Sequence, residues 1–263
     1  MLRNKVNQRA TLRVVFSSLG KEIIHKAFKE ITPMKKLFAV SLLWLTFSAL
    51  AFAQETSRTL KVSDFTKLSM GSAFKIDVKQ GSKYQVTVSG ERKDLDDLEY
   101  SVSRGAFRLG YKDNGWRKSR ETVRVSITMP SLDGVDFSGA CVARVSGFNN
   151  GRGMTIDVSG ASKVEMDFSA DKVSMDLSGA SRLTLTGKAE LLQGELSGAS
   201  TFDGKDFPVR EADLEASGAS RASVVANSAL RADASGASRI SYAGSAREVR
   251  SSSSGASSIR RAN

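Results

Sequence analysis

A short motif recurs through the second half of the chain and strongly limits what the chain can fold into. The motif is Ser-Gly-Ala, usually followed by a second serine, as in residues 159–162. Its glycines are Gly139, Gly160, Gly179, Gly198, Gly218, Gly236 and Gly255. Successive glycines are 21, 19, 19, 20, 18 and 19 residues apart. A period near 19 residues that recurs seven times predicts a solenoid, in which each coil of chain stacks on the coil before it.

Apolar and polar residues alternate on both sides of each glycine. The residues four and two positions before the glycine are mostly apolar, and the residue between them is acidic in six of the copies. Since successive side chains of a strand point to opposite faces, the apolar residues are predicted to point inward and the acidic residues outward. The alternation resumes after the glycine. Each period is therefore predicted to hold two short strands joined at a Ser-Gly-Ala-Ser corner.

The corner residues suit a tight turn. Glycine tolerates the positive φ that a sharp turn needs, and alanine is predicted to fit a crowded interior. The flanking serines are predicted to hydrogen-bond backbone groups and to stack in ladders about 4.8 Å apart. Cys141 stands where the other copies have their second serine, so it is predicted to be an isosteric rung of that ladder rather than a reactive thiol. The last coil, with Ser251, Ser252, Ser253 and Arg261, is predicted to be a polar cap.

The region before the repeats also has the pattern of a sheet. Alternating residues predict strands at 74–78, 84–88, 100–102, 107–111 and 123–129. A charged segment, residues 91–98, predicts a short helix or helical turn. The predicted fold is therefore all-β: a parallel β-helix or β-solenoid with coils of about 19 residues, preceded by an N-terminal β-rich segment of the same domain.

The first 53 residues have the features of a targeting segment. Met34-Lys35-Lys36 is a positive start, residues 37–50 are apolar, and Ala51-Phe52-Ala53 is a small-x-small cleavage site. We therefore interpret residues 34–53 as a secretory signal peptide and residues 1–33 as a mis-assigned upstream extension. Residues 54–130 form the N-terminal β segment, and residues 131–263 form the solenoid repeats with their polar C-terminal cap.

Charge and composition exclude several classes of site. The formal net charge is +11, but residues 1–53 hold 9 of the 39 Lys+Arg and 2 of the 28 Asp+Glu, which leaves +4 for the rest. That mild excess does not predict nucleic-acid binding. One cysteine and one histidine exclude an intramolecular disulfide and a His/Cys metal cluster.

The acidic residues before the corners are the strongest candidate for chemistry. They are Asp136, Asp157, Asp176, Glu195, Glu215 and Asp233. Three interpretations stay open: a solvated face offset by the basic residues after the corners, a calcium site, and a glycosidase pair such as Asp157 and Asp176. The basic residues after the corners are Lys163, Arg182, Arg221 and Arg239. The solvated face is favoured, since one carboxylate per strand supplies few converging oxygens. No catalytic, cofactor-binding or metal-ligating residue is therefore predicted.

A second candidate is a basic, aromatic-bearing loop tip. It consists of Trp116, Arg117, Lys118 and Arg120. Aromatic and cationic side chains together can hold a glycan or an anionic polymer. An exposed tip without a binding role is the alternative.

Residues 65–88 and 95–109, together with the Ser-Gly-Ala-Ser corners from 138 to 257, resemble the bacterial head GIN domain family of auto-transporter adhesins. The resemblance implies a parallel β-helix-like fold, a location in the cell envelope or at the surface, and no established enzymatic activity. It carries over no catalytic residues.

The predicted function is an exported, non-enzymatic binding module that presents a rigid solenoid face. A self-associating envelope scaffold and a polysaccharide-active enzyme are the alternatives. The predicted partner is a surface polymer, a glycan or a protein, with contact to the membrane only through the signal peptide. Self-association is also open. The predicted location is the periplasm, the outer cell surface or the extracellular space.

Overall fold

The computed structural model describes residues 56–112, 120–149, 151 and 153–262. All of them lie in one compact unit, Glu55–Asn263. Its only described helix is α1, Arg92–Asp96. The strands are β1 Thr56–Leu60, β2 Lys67–Met70, β3 Lys75–Gln80, β4 Gln85–Gly90, β5 Leu98–Ser103, β6 Ala106–Tyr111, β7 Arg124–Met129, β8 Gly134–Phe137, β9 Val142–Asn149, β10 Gly153–Val158, β11 Lys163–Leu177, β12 Arg182–Leu196, β13 Thr201–Ala216, β14 Arg221–Ala234, β15 Arg239–Ala243, β16 Glu248–Ser253 and β17 Ser258–Arg261.

The repeats form a parallel β-solenoid, as predicted. Strands that precede a corner pair with each other in register, and so do strands that follow one. We call these two surfaces the pre-corner face and the post-corner face. Strands β11 to β14 each run from one corner to the next, whereas β9 and β10 are separate strands that pair with the two halves of β11. Each coil therefore contributes one strand segment to the pre-corner face and one to the post-corner face. The chain also bends a second time between successive corners, where it passes from the post-corner face to the pre-corner face.

The interior follows the predicted alternation. All residues four and two positions before the glycines of the first six corners are buried, from Val135 and Phe137 to Ala232 and Ala234. Large aromatic side chains are buried in the core, where the ring centroids of Phe168 and Phe207 lie 5.3 Å apart. Burying this apolar surface stabilises the fold by about 25 cal/mol per Å². In the last coil every residue of β16 is exposed, which fits a polar cap.

The corners depend on the close stacking of glycines. The seven corner glycines have φ between 68° and 78°. From the second corner onward, the alanine that follows the glycine donates its N–H to the carbonyl of the preceding coil's glycine, as in Ala180 to Gly160 at 2.7 Å, whereas Ala140 of the first corner donates to Ser72. A Cβ placed on Gly179 would lie 2.6 Å from the carbonyl oxygen of Gly160. Glycine is therefore required both by backbone conformation and by the neighbouring coil.

The prediction for the other corner residues was partly wrong. The corner alanines are exposed, whereas the second serines of five corners are buried, among them Ser181 and Ser200. The chain turns so that the methyl group points to solvent and the hydroxyl points inward. Some of these hydroxyls donate to backbone carbonyls, as in Ser238 to Ala216 at 3.0 Å.

The N-terminal segment continues the solenoid. Strands β2 and β3 pair in parallel with β8 and β9, and on their other side they pair with β6 and β7. Two more strand pairs are thereby added to the stack. The sequence predicted β3 to β7 and the helix, but it missed β1 and β2. It also missed the corner between β2 and β3, where Ser72 takes the position of glycine with a φ of 83°.

Antiparallel strands extend this end of the molecule. On the post-corner face β4 pairs with β7 and β1 pairs with β4, and on the pre-corner face β5 pairs with β6. These strands cover the open edges of β6 and β7, which would otherwise be free to pair with another chain. Within the described part of the chain, no helix reaches the length and apolarity that a membrane crossing requires.

Candidate functional site

The acidic residues form one straight row on the pre-corner face. We call it the acidic row; its members are Asp136, Asp157, Asp176, Glu195, Glu215 and Asp233, which face one another in register on β8, β10, β11, β12, β13 and β14. Neighbouring strands lie about 4.8 Å apart, so each carboxylate has a like charge on either side along most of the row. Ser69 of β2 continues the line and donates its hydroxyl to Asp136 at 2.9 Å.

A shallow groove of about 390 Å³ runs along the row. Asp157, Asp176, Glu195 and Glu215 line it, together with Gln193. The pKa of Asp157 is raised from its ordinary value, first by burial and then by the charges of Asp136 and Asp176. A positively charged group placed in the groove would lower this repulsion.

The acidic row does not have the arrangement of a metal centre. Across the described residues, no three His, Cys, Asp or Glu side chains are placed to hold one metal ion. Asp157 and Asp176 do lie on adjacent strands, as predicted. The same stacked arrangement recurs at each step of the row, so no single pair stands out as the acid and base of a glycosidase.

The basic residues form a second row on the post-corner face. We call it the basic row; it runs over Arg124, Lys75, Lys163, Arg182, Arg221 and Arg239, with Val142 between Lys75 and Lys163 and Thr201 between Arg182 and Arg221. All six cations are exposed. Sequence analysis missed Lys75 and Arg124, because their strands were not assigned to the solenoid. The sequence signal that indicates a corner before Lys75 is the segment Gly71-Ser72-Ala73, a permuted form of the corner motif.

The two rows lie on opposite sides of the corners. Among ion pairs that join described residues, none connects the acidic row to the basic row. Asp233 pairs with Arg231 of its own strand at 3.3 Å, and Lys163 pairs with Glu165 of its own strand at 2.8 Å. These two ion pairs are therefore formed within a face rather than across the corner.

The predicted basic tip lies mostly outside the described residues. That applies to Trp116, Arg117 and Lys118. Arg120 is described, and its guanidinium lies 2.8 Å from Asp97 and 3.9 Å above the ring of Tyr111. Burial, followed by the charge of Asp94, raises the pKa of Tyr111 to about 12. Arg120 is thus held against the body of the fold.

Cys141 occupies the serine position of its corner, as predicted. It is fully buried, and its N–H donates to the hydroxyl oxygen of Ser162 at 3.3 Å. Its thiol lies 3.0 Å from the carbonyl oxygen of Ser72. Burial is the main cause that raises the pKa of the thiol, which disfavours the reactive thiolate.

The model of the family described as "Putative auto-transporter adhesin, head GIN domain" matches residues 64–246. A crystal structure of a putative adhesin from Bacteroides fragilis shares 18% identity with a TM-score of 0.72, over 80% of this chain and 98% of that chain. A putative adhesin from Parabacteroides distasonis shares 16% identity with a TM-score of 0.66, over 80% of this chain and 98% of that chain.

A third crystal structure widens the range of names attached to this fold. It is a putative lipid binding protein from Parabacteroides distasonis, with 18% identity, a TM-score of 0.58, and coverage of 81% of this chain and 98% of that chain. A search of curated proteins gave no match. At these identities the structural likeness establishes the fold.

Proposed function

The chain belongs to the auto-transporter adhesin head GIN domain family, and from this membership we propose that it is an exported, non-enzymatic binding module of the cell envelope. In this proposal residues 34–53 are removed as a signal peptide during export. The mature chain begins at Gln54 and contains the described solenoid. Its solenoid faces bind a polymer, a glycan or a protein at the surface of the cell.

The observation that carries the proposal is the regularity of the charged rows. Each row places one charged side chain on nearly every strand, held in register by backbone pairing on both sides. A stacked sheet holds these positions rigidly. Little backbone conformational entropy of the protein is therefore lost when a partner binds. Such a surface suits binding over an extended length better than chemistry at one point.

Protease shaving of intact source cells tests the proposal. Released and retained fragments are identified by amino-terminal sequencing, with an internal protein of the same cells as the control for lysis. We expect a mature chain that starts at Gln54 and is cleaved from outside. A chain that is cleaved only after the outer envelope has been opened would refute surface binding and favour an internal scaffold.

A further inference from the structure

We propose that the basic row binds a linear anionic polysaccharide, laid along the solenoid axis. The inference deepens the proposed function and rests on it, because it names the ligand class of one face of the binding module. The binding segment of the basic row extends from Lys75 to Arg239. Six strand spacings separate them, from β3 through β9 and β11 to β15, or about 29 Å.

The cations of this segment are available to a ligand. Lys75, Arg182, Arg221 and Arg239 are exposed, and among the described residues none of their side chains has a hydrogen-bond or ion-pair partner. Lys163 has a neighbouring carboxylate. A guanidinium presents a planar fork of donors that matches the two oxygens of a carboxylate or sulfate. Three of the five cations are arginines.

The surroundings of the row favour a narrow ligand over a flat one. The next outward row on the post-corner face carries three carboxylates. On successive strands its residues are, in register, Asp77, Arg144, Glu165, Thr184 and Asp203. A planar anionic surface such as a membrane would be brought against these carboxylates. A single extended chain that follows the basic row avoids them, since the corner on its other side is built from exposed glycine and alanine.

The absence of aromatic side chains from the described basic row argues against a single-stranded nucleic acid. Proteins that hold single-stranded nucleic acids stack bases on aromatic rings along a basic groove. Over the described strands, the basic row holds only Lys, Arg, Val142, Thr201 and Ser258. It can contact acidic groups on a chain, but it offers no ring on which a base could stack.

The ligand must be a polymer for energetic reasons. A single exposed ion pair contributes little to binding, too little to hold a monosaccharide. Acidic groups joined in one chain bind successive cations at a high effective concentration. Affinity should therefore rise with the length of the polymer and fall with salt.

Binding of the purified full-length chain to alginate, a polymer of uronic acids, tests the proposal. The triple variant Arg182→Glu, Arg221→Glu, Arg239→Glu should lose at least about tenfold in affinity, from three lost pairs and the added repulsion. The matched control Lys172→Glu, Lys188→Glu, Arg247→Glu makes the same change of charge at exposed positions outside the row. It should stay within about threefold of the unmodified chain, as expected for screened charges.

Further measurements make the result decisive. Circular dichroism checks that both variants keep the sheet. If the glutamate variant does not fold, the neutral variant Arg182→Gln, Arg221→Gln, Arg239→Gln is measured instead, and it should also bind alginate more weakly than the unmodified chain. Neutral dextran and short uronate oligomers should not compete with alginate. Equal loss in the control variant, no binding of alginate, or equally tight binding to single-stranded DNA or phosphatidylglycerol vesicles would overturn the proposal.

The test is independent of the shaving experiment. A chain that is exposed at the surface but does not bind alginate refutes the ligand class and leaves the proposed location intact. A chain that binds alginate through the basic row but is cleaved only in opened cells supports the ligand class and refutes surface adhesion.

Discussion

Substitution of a corner glycine measures how much the stacking of corners contributes to stability. Gly179 and Gly105 both have positive φ, 70° and 72°. A Cβ on Gly179 would lie 2.6 Å from the carbonyl oxygen of Gly160, whereas a Cβ on Gly105 would have nothing within 4 Å. Gly105→Ala is thus a matched control, because it places an alanine in the same backbone conformation without the clash.

The two substitutions should differ severalfold in cost. An alanine in the left-handed region costs about 1–2 kcal/mol, which is the full expectation for Gly105→Ala. In Gly179→Ala the coils must also move apart, at about 1–3 kcal/mol for overpacking. The shift weakens the hydrogen bonds Ala180 to Gly160, at 2.7 Å, and Ala199 to Gly179, at 2.8 Å, each of which contributes about 1 kcal/mol. The expected total for Gly179→Ala is about 3–6 kcal/mol.

Urea denaturation followed by far-UV circular dichroism provides the measurement. Both variants are compared with the unmodified chain at the same pH and salt, and the difference between their free energies of unfolding isolates the stacking contribution. If Gly179→Ala and Gly105→Ala lose the same amount, close stacking of the corners does not stabilise the solenoid and the argument from the clash is wrong.

Three further predictions address single residues. Ser72→Gly should raise the free energy of unfolding by up to about 1 kcal/mol in the same assay, because it removes a side chain from a φ of 83°; a loss would contradict this. Asp157→Asn should raise the melting temperature at pH 7 but not at pH 3. Because the pKa of Asp157 is raised in the folded state, the charged carboxylate destabilises the fold as pH rises above about 3.8. An equal gain in melting temperature at both pH values would show that burial of this charge and its repulsion by Asp136 and Asp176 do not destabilise the fold. Cys141 should react with a thiol reagent only on unfolding, and fast labelling of the native chain would exclude the buried rung.

The acidic and basic rows show how far sequence patterns lead to a candidate site. The alternation around the corners correctly placed Asp157 and Asp176 outward on adjacent strands. It also suggested that bases such as Arg182 offset these acids. In the structure the two rows belong to different faces, since the chain turns at the corner between them. A local pattern indicates which side of a strand a residue occupies, but it does not give the direction of the next strand.

The sequence by itself determined the repeat period, the inward and outward residues of each coil, and the corner glycines. These depend on neighbours within one coil, where alternation and positive φ are local constraints. Only the tertiary structure decided that β2 lies between β6 and β8 on the pre-corner face, and that β3 lies between β7 and β9 on the post-corner face. Those pairings join residues such as Ser69 and Asp136, which are far apart in the chain. The physical reason is that strand pairing is chosen by packing across the whole stack, and short strands carry no local signal for their partners.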